Sequence, residues 1–239
     1  MKKIDVHKKG YVRLVDTMGD DLKPVNAAKV SYNKQSTEFG EREERLTKFL
    51  AREDHTSPFR HALLQFEVYA PLMVARQWWK YIIGSGHKEF NENLQDPFTA
   101  WNESSRRYVT EEPEFYIPSI NEWREAPENS KQGSGDFVEI ETGAALTTQL
   151  MNHVENGVRM YEKALEQGIA AEQARLFLPA YGLYVRWYWT ASLQGVAHFL
   201  NQRIAHDAQK EIQDYAKAVY DLSIKEFPVA LNELVKVHG

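Results

Sequence analysis

The chain has no cysteine among its 239 residues. That absence excludes disulfides, thiolate metal sites and thiol nucleophiles in one step. No apolar run approaches the ~20 residues of a membrane-spanning helix, and no early stretch resembles a secretory signal. A soluble, cytoplasmic protein with no membrane partner is therefore expected. Positive charge is not in excess either: the formal net charge is −5. A sequence-independent nucleic-acid binder needs a broad basic surface, so no nucleic-acid partner is expected and any local basic cluster reads as a pocket. The eight histidines form no His-x-x-x-His or Glu-x-x-His pair, which leaves no metal site to predict. Nor is there a Gly-x-Gly-x-x-Gly after a strand, and Gly84-Ser85-Gly86 alone does not make a dinucleotide-binding turn.

What is present is concentrated in two clusters, Arg76-Gln77-Trp78-Trp79-Lys80 on an apolar helix and Trp101-Asn102-Glu103-Ser104-Ser105-Arg106-Arg107-Tyr108 on a following loop. Paired arginines beside a serine and a carboxylate suit a phosphate, because guanidinium forks bind it bidentately and a hydroxyl adds a donor. The Asn-Glu side suits a sugar or base edge. Together they read as a nucleotide monophosphate site. Ser105 lacks the Gly-x-Ser-x-Gly elbow of a hydrolase nucleophile. Arg107 is read as functional and Arg106 as solvated surface. The Trp78-Trp79 pair and the Trp187-Tyr188-Trp189 run read as core, and Glu41 to Arg45 as a solvated helix face without function.

Periodicity supplies the frame. Tyr11 to Asp16 alternates as a strand, Asp20 or Asp21 caps a helix reaching Val30, and Glu41 to Arg52 forms another. His55 to Phe59 is turn chemistry, Leu63 to Val68 a strand, and Pro71 opens a helix. In that helix Val74, Ala75, Trp78, Trp79 and Ile82 make the apolar face, opposite Arg76, Gln77, Lys80 and Tyr81. Residues 84–101 read as a long mobile loop and 121–136 as a linker-like polar loop. A long amphipathic helix runs through Leu146, Leu150, Val154, Tyr161 and Leu165, followed by a shorter one from Ala171 to Leu178. Leu183 to Trp189 fits a strand or a helix; Leu193–Asn201 and Ala208–Leu222 close the chain as helices. The expected fold is α+β: one helix-rich domain over 1–239 with a small antiparallel sheet.

Several segments, in order, carry a resemblance. They are Tyr11-Val12-Arg13-Leu14-Val15-Asp16, Ala27-Ala28-Lys29-Val30-Ser31-Tyr32, His55-Thr56-Ser57-Pro58-Phe59, Val74-Ala75-Arg76-Gln77-Trp78, Asn102-Glu103-Ser104-Ser105-Arg106-Arg107-Tyr108 and Phe199-Leu200-Asn201-Gln202-Arg203. This ordered set resembles the flavin-dependent thymidylate synthases, the ThyX family. The resemblance implies reductive methylation of dUMP to dTMP with methylenetetrahydrofolate, FAD and NADPH, in a homotetramer whose flavin lies between subunits. It implies that Arg203 is the catalytic residue at the pyrimidine edge. Ser105, Arg107 and Arg175 would hold the 5′-phosphate, and Gln77 and Glu103 the sugar or base. Ser31, His55, Ser57 and His198 would lie near flavin or folate, joined by Lys80 and Tyr81. The absence of cysteine agrees, since the alternative route to a reactive pyrimidine C5 needs a thiolate.

The chain also departs from the family. The signature is Arg-His-Arg, seven residues, then Ser-x-Arg, whereas here Lys80-Tyr81-Ile82 stands at the first half and the spacer to Ser105 occupies 83–104. Setting Gly86-His87-Lys88 opposite the first half is the alternative alignment. Arg60 stands where the family commonly has a glutamate. Two other readings stay open: a relative with altered carbon or cofactor chemistry, and a non-catalytic nucleotide-binding oligomer.

Overall fold

The computed structural model describes residues 2–83, 98–104, 112–128 and 133–236. Five strands, β1 (Lys2–Val6), β2 (Gly10–Met18), β3 (Leu63–Pro71), β4 (Ala100–Glu103) and β5 (Tyr184–Ser192), form one sheet in the order β1-β2-β3-β5-β4. Each neighbouring pair is antiparallel. Alternation decides the faces: Val12 and Leu14 on β2, Leu64, Phe66, Val68 and Ala70 on β3, and Trp187, Trp189 and Ala191 on β5 are buried, as period-two side chains on one covered face must be. The opposite face is polar. There Arg13 lies across from Glu67, which lies across from Tyr188, and the Arg13 guanidinium pairs with the Glu67 carboxylate at 2.5 Å.

Among the described residues the sheet is joined by eight α-helices: α1 (Leu22–Lys29), α2 (Glu41–Arg52), α3 (Leu72–Ile83), α4 (Ile140–Glu166), α5 (Ala171–Ala174), α6 (Leu193–Arg203), α7 (Lys210–Ser223) and α8 (Ala230–Leu234). The placement of α3 and α6 follows from the sheet. In the register of β3 and β5, Pro71 pairs with Tyr184 and Leu63 with Ser192. Because α3 starts after Pro71 and α6 after Ser192, the two helices leave opposite ends of the sheet, and they pack on each other. Ser192 caps α6, its Oγ accepting from the Gly195 N–H at 3.0 Å, which satisfies one of the orphan donors of a helix start.

Trp78 locks the two helices. It is fully buried, stacked on Phe199 with ring centroids 4.3 Å apart and edge-on to Trp187 at 5.4 Å and Trp189 at 5.2 Å. On α7, Ile212, Tyr215, Val219 and Leu222 are buried at the spacing the sequence predicts, and the Tyr215 hydroxyl donates to the Tyr69 carbonyl at 3.1 Å. Gly10 makes room for that hydroxyl: a Cβ there would lie 1.8 Å from it.

Some expectations change. The 84–101 loop ends in strand, because Trp101 pairs with Trp189 across β4 and β5 and its ring stacks on Trp187 at 4.8 Å; residues 84–97, including Gly86-His87-Lys88, lie outside the described residues. The 121–136 stretch is not a bare linker. Trp123 Nε1 donates to Thr147 Oγ1 at 2.9 Å, Arg124 pairs with the buried Glu211, and Arg124 bridges to Phe137. The Ala171–Leu178 helix shortens to the four residues of α5 and a 3-10 turn, Arg175–Phe177. Pro71 closes β3 instead of opening α3. Trp79 leaves the apolar face and is 42% exposed. Asp20 accepts from Leu22 N–H at the start of α1, but Asp21 is buried and accepts from Val229 and Ala230 N–H at 2.7 and 2.9 Å. It therefore anchors the chain before α8, and burial raises its pKa. Strand β1 and helix α8 carry no sequence signal that the reading used.

Candidate functional site

Helix α6 connects the two halves of the site. Phe199 is the residue stacked on Trp78, and Arg203 lies one turn later on the same face. Arg203 is half-buried at the helix end, where a cation complements the exposed carbonyls. Gln77 precedes Trp78 on α3; its Nε2 donates to the Met73 carbonyl at 3.3 Å and to Gln209 Oε1, ahead of α7. The Trp78–Phe199 stack thus brings Gln77 and Arg203, far apart in sequence, to neighbouring helices. Glu103 ends β4 opposite Trp187. Desolvation raises its pKa, opposed by a hydrogen bond from Trp101, although the residue as a whole remains exposed.

The other half is a cavity of about 830 Å³ between α1, α2 and the turn Ser57–His61. Ser31, His55 and Ser57, three of the six residues expected near a cofactor, line it. The His55 N–H donates to the Leu50 carbonyl at 2.9 Å and its ring meets Phe49 edge-on at 5.9 Å. The structure adds Lys34, Arg42 and His61 to the lining. Lys34 and Arg42 are exposed and have no ion pair among the described residues. Arg42 keeps the solvated setting expected for Glu41 to Arg45 while bordering the cavity, whereas Glu43 beside it is buried at 8% exposure. A helix charge run gives no sign of which members turn toward a cavity; the register of α2 against α1 decides it.

His198 lies on α6, near the turn that contributes Ser57, Pro58 and His61 to the cavity lining. It is half-buried on α6, which packs on the turn holding the buried Arg60. Burial first, and the Arg60 charge second, lower the His198 pKa below its ordinary value. The imidazole is thus neutral at pH 7. Because the folded pKa is depressed, the unfolded chain binds the proton more readily, so His198 subtracts stability as pH falls below about 6.5. In an NMR titration His198 is expected to protonate below the ordinary histidine value of about 6.5; a midpoint at or above that value would contradict the buried setting.

The remaining expected residues are scattered in one chain. Lys80 is exposed on α3 and does not line the cavity. The side chain of Tyr81, and Ser105 and Arg107 entirely, lie outside the described residues. Arg175 stands exposed on a turn packed against α4, its Nε donating to the Glu172 carbonyl at 3.1 Å. It is not on the apolar helix expected for it. Among the described residues no group of three His, Asp or Glu could hold a metal, and no helix is long and apolar enough to cross a membrane.

The donor set fits a large anionic cofactor. Hydroxyls and cations border the cavity while Leu46, Phe49 and Pro58 supply apolar wall, and the volume lies in the range of cofactor pockets. Comparison with known proteins agrees. A family model described as thymidylate synthase complementing protein matches residues 13–229. The flavin-dependent thymidylate synthase of Thermotoga neapolitana is 36% identical over 238 residues, covering 98% of this chain and 94% of that protein. That of Thermosipho africanus is 34% identical over 228 residues, covering 95% and 92%. The solved UMP/dUMP methylase PolB from Streptomyces cacaoi bound with 5-Br dUMP matches with a TM-score of 0.78 at 26% identity over 96% of each chain. A matched family model across most of the sequence, relatives aligned over nearly their full length and a shared fold lead to one assignment: the chain belongs to the flavin-dependent thymidylate synthase family.

Proposed function

We propose that this protein is an enzyme converting dUMP to dTMP by reductive methylation, with methylenetetrahydrofolate as carbon donor, FAD as hydride carrier and NADPH as reductant. One feature carries the reading: in a chain without cysteine, helix α6 carries both His198, near the turn that helps line the cation-bordered cavity, and Arg203, and it packs on the helix that bears Gln77. Without a thiolate to add at C6, C5 of the pyrimidine becomes nucleophilic only if negative charge on the ring is stabilised. Arg203 is the proposed group for this, donating to the base edge. Gln77 and Glu103 orient the nucleoside, and Ser105, Arg107 and Arg175 hold the 5′-phosphate, charge-assisted bonds contributing roughly 1.5–3 kcal/mol each.

Ser31, His55, Ser57, Lys34 and Arg42 would hold the flavin. Bound flavin supplies the hydride that no side chain here can provide. His198, neutral and near the cavity turn, would donate or accept a hydrogen bond without adding charge. Lys80 and Tyr81 extend the cofactor site in this reading, with Lys80 keeping a positive charge but not the planar fork of an arginine.

A homotetramer of one-domain subunits completes the proposal. Its support is the surface around α4: Met160 and Leu165 on the helix and Leu176 and Phe177 on the next turn are exposed, Leu176 at 81%. Apolar groups in one region suit burial by another copy, and Arg175 on the same turn would then reach a neighbouring subunit's phosphate. The reading places the enzyme in the cytoplasm, where its nucleotide, folate and NADPH are available. The test is direct. Purified protein supplied with FAD is expected to turn yellow, to bleach with NADPH, and to form dTMP when dUMP and methylenetetrahydrofolate are added. Protein that binds dUMP yet takes up no FAD would support the non-catalytic reading instead.

A further inference from the structure

Between α1 and α2 the chain passes the mouth of the cavity, and one cluster of side chains ties it down. Asn26 grips Ser36 at two points: Asn26 Nδ2 donates to the Ser36 carbonyl at 2.9 Å, and the Ser36 N–H donates to Asn26 Oδ1 at 2.8 Å. Lys29 Nζ pairs with Glu43 Oε1 at 2.7 Å and also bonds Ser36 Oγ, which itself donates to the same Glu43 oxygen at 2.8 Å. The contacts to Lys29 and Ser36 hold the Glu43 carboxyl down at about 2, so it is ionised throughout the neutral range. Within the segment that these bonds close, Asn33 reverses the chain with a left-handed φ of 50°, and Ser31, Tyr32 and Lys34 line the cavity. Tyr32 is 77% exposed at that mouth.

Two consequences follow. The segment's lining side chains are ordered by Ser36, a residue that is not itself in the lining. In addition Lys29, which does line the cavity, has its charge neutralised by Glu43, leaving Lys34 and Arg42 as the cations facing a ligand. We propose that Asn26, Lys29, Ser36 and Glu43 form a latch that presets the cavity mouth for the cofactor's phosphate, which makes Glu43 and Asn26 positioning residues for cofactor binding. This rests on the reading of the cavity as the flavin site.

Hydrogen exchange and flavin titration test it together. In apo protein, Asn26→Ala, Ser36→Ala and Glu43→Gln are each expected to speed amide exchange over residues 33–37 about tenfold or more, with α7 amides unchanged, as for local opening. The same variants are expected to weaken FAD binding about fivefold or more through lost preorganisation, while Lys29→Arg, which keeps the ion pair, stays near wild type. Glu43→Gln also frees a cation, so tighter FAD binding in that variant would overturn the role of Glu43. Unchanged exchange in all three variants would overturn the latch. Loosened exchange with FAD affinity within about twofold of wild type would overturn its link to the cofactor. If wild-type protein takes up no FAD, the cavity reading fails by itself, and the exchange comparison still decides the latch. Should Glu43→Gln fail to fold, Ser36→Ala, which removes one hydroxyl, carries the same comparison.

Discussion

Arg203→Ala is expected to lower dTMP formation by about 100-fold or more while NADPH still bleaches the flavin at close to the wild-type rate. The magnitude is that of removing one well-placed donor to a developing negative charge, about 3 kcal/mol of transition-state stabilisation. The split between the two half-reactions is the informative part. Arg203 ends α6, which packs on the helix that carries Gln77, whereas the proposed cofactor cavity is built from α1, α2 and the Ser57–His61 turn. A change at the pyrimidine edge should therefore leave flavin reduction alone. Loss of both half-reactions in parallel would show that Arg203 serves the cofactor or the fold, and loss of neither would remove it from the site. Steady-state dTMP formation and stopped-flow absorbance of the flavin provide the two readings.

The second large effect is on stability. Trp78 is fully buried and touches rings from β5 and α6 at once. Trp78→Ala should cost about 3–5 kcal/mol, the range for emptying a large aromatic from a core. At roughly 2–4 °C per kcal/mol for a domain of this size, the melting temperature should fall by about 6–20 °C. Function should fall with it. Gln77 and Arg203 lie on helices that pack through the Trp78–Phe199 stack, so the surviving folded protein should bind dUMP more weakly than wild type at a temperature where both are folded. Trp78→Phe, which retains a ring against Phe199, should lose less of each. A Trp78→Ala protein with wild-type melting behaviour would contradict the packing, and wild-type dUMP affinity would contradict the link from core to site.

These two cases also show what a sequence of this kind discloses. Strands β2 and β3 and helices α2, α3, α6 and α7 were legible because each buries one face, and burial leaves a period of two or 3.6 in the sequence, whereas the aromatic run of β5 fitted a strand or a helix. Strand β4 was not legible. Its four residues carry too few alternations, and Trp101 is held by stacking on Trp187 from a strand more than eighty residues away in the chain. Asp21 looked like a local helix cap, and tertiary structure uses it instead to hold the segment before α8. Ser31, His55 and Ser57 were picked out because motif segments carry them, and they share one cavity. Arg42 and Glu43 were missed for a physical reason: on a helix of alternating charges, which side chain is solvated and which is enclosed depends on the neighbour packed against it. Arg175 is the converse case. The short helix expected around it breaks into a turn, which leaves it on a surface that one chain does not cover.

The central claim is that the electrons completing the methyl group come through a flavin and not from the folate. A methylene group transferred from methylenetetrahydrofolate needs two further electrons to become a methyl group. If the folate ring supplies them, it leaves as dihydrofolate; if NADPH supplies them through the flavin, it leaves as tetrahydrofolate and one NADPH is consumed per dTMP. Chromatographic identification of the folate product, beside a count of NADPH oxidised per dTMP formed, decides between the two. Tetrahydrofolate with NADPH consumed one for one is the result predicted here, and dihydrofolate formed with dTMP in the absence of NADPH would contradict it.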